Sequence, residues 1–245
     1  MRILVVNDDG IYSPGLLALA HAARLHGEVR IVAPDVEQSA MGHAMTYTRP
    51  LRYRPAGLPG FESYKVNGTP ADCVALGCHQ GDHVDLVLSG VNLGANLGNS
   101  MWHSGTLAAA KQAVLLGVRA AAFSVRGGYE PSDFERLAPY LDQVVELILD
   151  GDAEGLLNVN FPTSEPRGIK WTRQSVRHYD GTVTPAQDPY GQRIYWCSVS
   201  PLEPAEEGTD RHAVDAGYTS ITPLRLDLTD EKELHRLQSL NRGPR

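Results

Sequence analysis

The first two-thirds of the chain alternate short runs of apolar, often β-branched residues with longer stretches whose apolar positions recur at helical spacing. Ile3 to Val6, Val29 to Ala33, Tyr64 to Val66, Asp85 to Leu88, Ala120 to Val125 and Leu156 to Phe161 predict strands. Helices are predicted near Gly15 to Leu25, around Leu107 to Leu116 and over Pro131 to Leu149, the last with Phe134, Leu137, Leu141, Val144, Val145 and Ile148 on one face. A further helix starts at Thr69-Pro70-Ala71-Asp72, with Thr69 as N-cap and Pro70 at the first helical position. Continuously apolar strands separated by helices predict a mostly parallel sheet covered on both faces, an α/β fold of the Rossmann-like, doubly wound type. Such sheets hold their ligands in the loops that leave the carboxyl ends of the strands.

From about Pro162 the pattern changes. Ile169 to Arg173, Arg193 to Val199 and Ser220 to Pro223 read as β segments split by Gly, Pro and Asp turns, and Glu231 to Leu240 reads as a final helix. Residues 1–162 are therefore expected to form the core that carries the chemistry. Residues 163–245 are expected to be a β-rich extension rather than an independent domain, of a kind that suits oligomerisation.

Composition narrows the partners. The 245 residues suffice for one large α/β domain with an appendage. A formal net charge of −7 argues against a nucleic-acid duplex as partner, because a phosphate backbone is held by clustered Lys and Arg. Small phosphorylated substrates stay open, since one bound cation reverses the local field. Cys73, Cys78 and Cys197 are too few and too far apart for a disulfide framework or a zinc ribbon, and are expected in the core. The apolar run Ile3 to Val6 is too short for a signal-peptide core or a membrane span, so a cytoplasmic protein is expected.

Asp8 and Asp9 follow the first strand, where an α/β sheet places its site. Adjacent carboxylates repel unless a cation lies between them, and Gly10 lets the backbone turn so that both reach one ion. Hard oxygen ligands favour Mg²⁺, Mn²⁺ or Ca²⁺. The alternative is a solvated turn at Asp9-Gly10. A dinucleotide site is disfavoured because no G-x-G-x-x-G follows this strand. A phosphoacceptor receiver is disfavoured because the strand ending at Leu88 runs into Ser89-Gly90 rather than a third Asp. Ser89 to Gly98 then forms a long Gly/Asn loop, in which Asn92 offers a neutral oxygen to a cation and Asn96 a donor to phosphate. Ser104-Gly105-Thr106 opens a helix, where free N–H groups and hydroxyls suit a phosphate, although Ser104 or Thr106 also reads as a plain N-cap. Ser39, in the loop after the second strand, is a weaker candidate ligand; His103 has no assigned role.

Taken together, Asn7-Asp8-Asp9-Gly10, Pro14-Gly15, Ala33-Pro34-Asp35, Gln38-Ser39, Gly68 to Val74, Ser89 to Asn96, Ser104-Gly105-Thr106, Thr209-Asp210 and Gly217 to Leu224 resemble the stationary-phase survival protein SurE family of nucleotidases. The resemblance runs in order along nearly the whole chain. It implies a Rossmann-like core with a β-hairpin and a C-terminal extension used in a homodimer or homotetramer. It also implies one divalent cation, Mg²⁺ or Mn²⁺, held by Asp8, Asp9, Ser39 and Asn92, with phosphate near Asn96, Ser104, Gly105 and Thr106. The implied reaction is hydrolysis of nucleoside 5′-monophosphates, with 3′-monophosphates and short polyphosphate as further substrates and Asp8 and Asp9 as the catalytic pair. A non-catalytic nucleotide-binding, stress-signalling module would use the same pocket without turnover.

Overall fold

The computed structural model describes residues 1–81, 83–127, 133–151, 155–176, 179–201 and 204–240. Its elements in chain order are β1 (Arg2–Val6), α1 (Pro14–Arg24), β2 (Glu28–Pro34), β3 (Tyr53–Pro55), β4 (Glu62–Val66) and α2 (Pro70–His79). Then come β5 (Leu86–Leu93), a 3-10 turn (Gly98–Trp102), α3 (Gly105–Leu115), β6 (Ala120–Val125), α4 (Asp133–Asp150) and β7 (Leu156–Phe161). The chain continues through β8 (Ile169–Trp171), β9 (Tyr179–Gln187), β10 (Arg193–Pro201), α5 (Asp210–Asp215), β11 (Thr219–Leu224) and α6 (Glu231–Leu240).

Nine strands form one sheet in the order β3-β4-β2-β1-β5-β6-β7-β11-β8. From β4 to β7 every neighbouring pair is parallel. The expected Rossmann-like α/β fold is thus what the chain adopts. The chain leaves β1 toward β2 and β4 on one side, then returns to β5 and proceeds through β6 and β7 on the other. The order reverses between β1 and β5, which opens the crevice at their carboxyl ends.

Alternation along β1 builds two cores. Ile3 and Val5 pack with Leu16 and Leu19 of α1 and Leu137 and Leu141 of α4. Leu4 and Val6 face the other way, onto Val74 of α2 and Leu107 and Ala110 of α3. All six apolar positions predicted for the long helix are buried in α4. Its expected first residues, 131 and 132, lie outside the described residues. At α2 the expected N-cap is reciprocal: Thr69 Oγ1 accepts from the Asp72 amide at 3.1 Å, and Asp72 Oδ2 accepts from the Thr69 amide at 2.9 Å.

Several features depart from the sequence pattern. The Gly/Asn segment is not loop from Ser89 onward: β5 continues to Leu93, bulging so that pairing skips from Ser89↔Ala122 to Asn92↔Ser124. Strands from beyond residue 162 join the main sheet, because β11 pairs antiparallel with β7 and parallel with β8. β9 and β10 form a separate two-stranded hairpin. Cys197, expected in the core, is exposed there, since no core lies beneath a free hairpin; Cys73 is buried and Cys78 half-buried. Among the described residues, no helix is long and apolar enough to cross a membrane.

Candidate active site at the β1–β5 crevice

The turn after β1 is set by Asn7. Its side chain donates to the Gly10 carbonyl at 3.0 Å and accepts from the Gly10 amide at 3.2 Å, and Gly10 itself sits at a φ of +99°. This closed Asx ring turns the chain so that Asp8 and Asp9 both remain at the sheet's edge. The loop after β2 is tied to the same turn: the Gln38 amide donates to the Asp8 carbonyl at 2.8 Å, and the Ile11 amide to the Pro34 carbonyl at 2.9 Å. Ser39 is carried on that loop, where its hydroxyl donates to Glu37 Oε1 at 2.8 Å.

Asp8 is buried against the first turn of α3. Thr106 Oγ1 donates to Asp8 Oδ1 at 2.7 Å, and the Thr106 amide also bonds this carboxyl. Gly105 is required by the same contact: a Cβ there would lie 2.7 Å from the Asp8 Cβ and 2.8 Å from Oδ2. Ser104 caps α3 by accepting from the Leu107 amide at 3.0 Å. Capping and an anion site thus coexist at this helix start, and the anion already seated there is Asp8.

Burial pushes the Asp8 carboxyl above the ordinary carboxylate range, against the lowering effect of the Thr106 hydroxyl and amide, while Glu37 adds to the rise. Asp9 is pushed up to about 6 by burial first, then by the negative charge of Asp8 and, more weakly, of Glu37; a hydrogen bond to the Leu93 backbone opposes this. Asp9 Oδ2 is buried and has no hydrogen-bond partner. Adjacent carboxyls, both raised by burial and the second also by the charge of the first, with one orphaned oxygen, are a donor set that fits a cation. Among the described residues no three His, Cys, Asp or Glu cluster as a metal site, so a cation at this turn draws on two carboxylates completed by neutral oxygens. Asn92, at the end of β5, suits that part. Its Nδ2 donates to the Gly94 carbonyl at 2.6 Å, which leaves Oδ1 as its acceptor atom.

Asn96 lies inside a polar cluster rather than free in the crevice. Its Nδ2 donates to Ser124 Oγ at 2.8 Å and lies 3.4 Å from Thr106 Oγ1, so it joins the β6 end to the helix that holds Asp8. The structure therefore brings Asp8, Asn96, Gly105 and Thr106 into one connected group. Asp9 abuts it through Asp8, Ser39 stands on the loop after β2, and Asn92 stands at the end of β5.

Sequence reasoning missed four residues of this site. Glu37 adds a third carboxylate to the field. Asn158 and Asn160 on β7 and Asp210 on α5 are fully buried polar groups bonded to the loop around Asn96. Asn at i and i+2 in an otherwise apolar strand was a legible sign, since both point to one face and burial demands partners. Among the aromatic residues, Tyr218, beside β11, has Lys170 Nζ 3.9 Å from its ring centroid. Trp102, over which Lys111 Nζ sits at 5.5 Å, is 56% exposed.

Known proteins match this chain over nearly its whole length. The family model described as Survival protein SurE matches residues 3–181. A Thermus thermophilus protein named 5'-nucleotidase SurE 1 is 48% identical over 99% of both chains. A Deinococcus radiodurans 5'-nucleotidase SurE is 44% identical over 93% of this chain and 88% of its own. The crystal structure of the SurE protein from Aquifex aeolicus superposes with a TM-score of 0.83 at 42% identity, covering 98% of this chain and 99% of that one. With a matching family model over most of its length, relatives above 40% identity and the same fold, this chain belongs to the survival protein SurE family.

Proposed function

We propose that this protein is a nucleotidase that hydrolyses the phosphomonoester of nucleoside 5′-monophosphates with the help of one divalent cation. The observation that carries the reading is the orphaned, buried oxygen of Asp9 beside Asp8, at the switch point of the sheet and against a helix start. The relatives named 5'-nucleotidase supply the substrate class.

The donor chemistry fits a hard cation, Mg²⁺ or Mn²⁺, which Asp8, Asp9, Ser39 and Asn92 would hold. When bound, such an ion supplies Lewis-acid charge neutralisation for the phosphoryl group and a lower pKa for the attacking water. The chain's own residues do the rest. Thr106 orients Asp8 and favours its ionised form through its hydroxyl and amide, against the effect of burial. Asn96, Ser104, Gly105 and Thr106 border the position of the phosphate, and their fixed dipoles are arranged before substrate arrives. Fixed positioning of this kind is the main protein contribution to phosphoryl transfer.

Nucleoside 3′-monophosphates and short polyphosphate present the same terminal phosphate and fall within the proposed range. Assembly as a homodimer or homotetramer through residues 163–245 is supported by the free hairpin, with Val183, Tyr195 and Trp196 exposed, and by α6, which buries none of its residues. Sedimentation or light scattering tests that part.

The deciding assay is release of inorganic phosphate from AMP with Mn²⁺ or Mg²⁺, before and after EDTA, across a panel of 5′- and 3′-monophosphates and polyphosphate. Release that EDTA abolishes and added metal restores is expected. Nucleotide binding without release would point instead to a signalling module, and release indifferent to EDTA would overturn the cation site.

A further inference from the structure

The tripeptide Asn96-Leu97-Gly98 lies between β5 and the body of the 3-10 turn, yet none of its main-chain polar groups lacks a side-chain partner. The Asn96 amide donates to Asn160 Oδ1 at 2.8 Å, and its carbonyl accepts from Asn158 Nδ2 at 2.8 Å and Asn160 Nδ2 at 3.1 Å. The Leu97 amide donates to Ser100 Oγ at 3.1 Å, and the Ser100 hydroxyl donates to the Leu97 carbonyl at 2.7 Å. The Gly98 amide donates to Asp210 Oδ2 at 2.8 Å, and its carbonyl accepts from Gln174 Nε2 at 3.2 Å. A backbone segment without a ladder is ordinarily tied to water and free to move. In this loop, side chains from β7, α5 and the segment before it replace the ladder.

Asp210 binds three amides at once, those of Gly98, Ser175 at 3.0 Å and Arg211 at 2.7 Å. It thereby fastens the part of the chain beyond β8 to the loop that carries Asn96. Gly98, at a φ of +54°, would place a Cβ 2.4 Å from Ser175 Oγ, so the two segments are in direct contact.

We infer that Asn158, Asn160 and Asp210 are positioning residues of the phosphate cradle: they hold Asn96-Leu97-Gly98 from both ends and so fix the Asn96 carboxamide against Ser124 and Thr106. None of the three is proposed to touch substrate or cation. The inference rests on the nucleotidase reading for its catalytic consequence, but not for the rigidity of the loop.

Two measurements test it. Hydrogen exchange on the wild-type chain without ligand reads the cage directly: the amides of Asn96, Leu97 and Gly98 are expected to be protected, and exchange as fast as an open loop overturns the inference whatever the enzyme does. The second uses Asn160→Ala and the near-isosteric Asp210→Asn, each assayed for Mn²⁺ affinity by calorimetry, for competitive inhibition of AMP turnover by inorganic phosphate, and for kcat/KM. Phosphate inhibition is expected to weaken about tenfold or more, and kcat/KM to fall by at least as much, with Mn²⁺ affinity within about twofold of wild type. A variant that merely melts earlier with both kinetic values unchanged, or that loses Mn²⁺ affinity in step with phosphate, overturns it. If wild type itself releases no phosphate from AMP, the nucleotidase reading fails, while the exchange result still decides the rigidity of the loop.

Discussion

Replacing Thr106 with valine removes one hydroxyl while keeping nearly the same volume. In the wild type that hydroxyl donates to Asp8 Oδ1 at 2.7 Å, and both residues are buried. A hydrogen bond to a charged group contributes about 1.5–3 kcal/mol, because the ionised acceptor strengthens it. Converted to an equilibrium, that is about 10- to 150-fold, which overlaps the ~10–100-fold loss typical when the partner behind a metal ligand is removed. Thr106→Val is therefore expected to weaken Mn²⁺ binding on that scale, and Thr106→Ser to restore most of it. The hydroxyl is one of the groups that lower the Asp8 pKa, so its removal lets that pKa rise further. The Mn²⁺ affinity of the variant should then fall more steeply than that of wild type as the pH is lowered below neutral. Calorimetric titration of Mn²⁺ across that range is the assay. If Mn²⁺ affinity is unchanged and inhibition by inorganic phosphate is weakened instead, the hydroxyl serves the phosphate and does not hold Asp8 for the ion.

Gly105→Ala drives a methyl group to 2.7 Å from the Asp8 Cβ, and the displacement needed to relieve it should cost about 10²-fold in kcat/KM; an alanine variant with full activity would contradict the close contact. Asp8→Asn and Asp9→Asn should each remove most of the metal-dependent phosphate release while leaving the far-ultraviolet circular dichroism spectrum intact. The metal-free protein should also report the strain of the pair. Because the Asp9 carboxyl is raised from 3.8 to about 6, its contribution to stability is present in full below the lower value and is lost as pH rises through about 6. In EDTA, Asp9→Asn should therefore gain in Tm relative to wild type as pH increases across that window, and a flat difference in melting temperature would count against it. In the core, Phe123→Ala should cost about 3–5 kcal/mol by urea unfolding, since Phe123 is fully buried and stacks on Phe161 of the neighbouring strand; a loss under about 1 kcal/mol would mean the site collapses freely.

How much of this was legible depended on whether the cause was local. The Asp8-Asp9-Gly10 turn could be read because a strand end and a flexible residue lie within a few positions of each other. The α4 stripe could be read because burial repeats at the helical period over 18 residues. The direction of the Thr106 hydroxyl could not: a threonine at a helix start looks the same whether it faces a bound anion or a carboxylate 98 positions away. The continuation of β5 through Gly90 was hidden because glycine and asparagine are turn formers, and only pairing with β6 makes that segment a strand. β9 was missed because Gly181 and Pro185 interrupt it, which an isolated hairpin tolerates and a central strand does not. β11 was expected as a β segment, but its place beside β7 is a long-range choice that no local pattern encodes.

The arrangement of charges around α3 bears on why the proposed reaction would call for a cation. A helix start is ordinarily a ready anion site, with free amides and capping hydroxyls facing outward. In this chain the Thr106 amide and hydroxyl are taken up by Asp8 and Asn96 Nδ2 donates to Ser124, whereas Ser104 Oγ accepts from the Leu107 amide and keeps its own O–H as a donor. The donors that remain face the negative charge of Asp8, Asp9 and Glu37, on a chain whose net charge is already −7. Left alone, that field repels a nucleotide rather than binding it. Under the proposed function, Asp8 and Asp9 would hold a divalent ion whose charge would reverse that sign beside the phosphoryl group. The helix start then also serves the ion, because the Thr106 hydroxyl and amide orient Asp8 and oppose the rise that burial imposes on it, and the buried asparagine cage holds the facing loop in place.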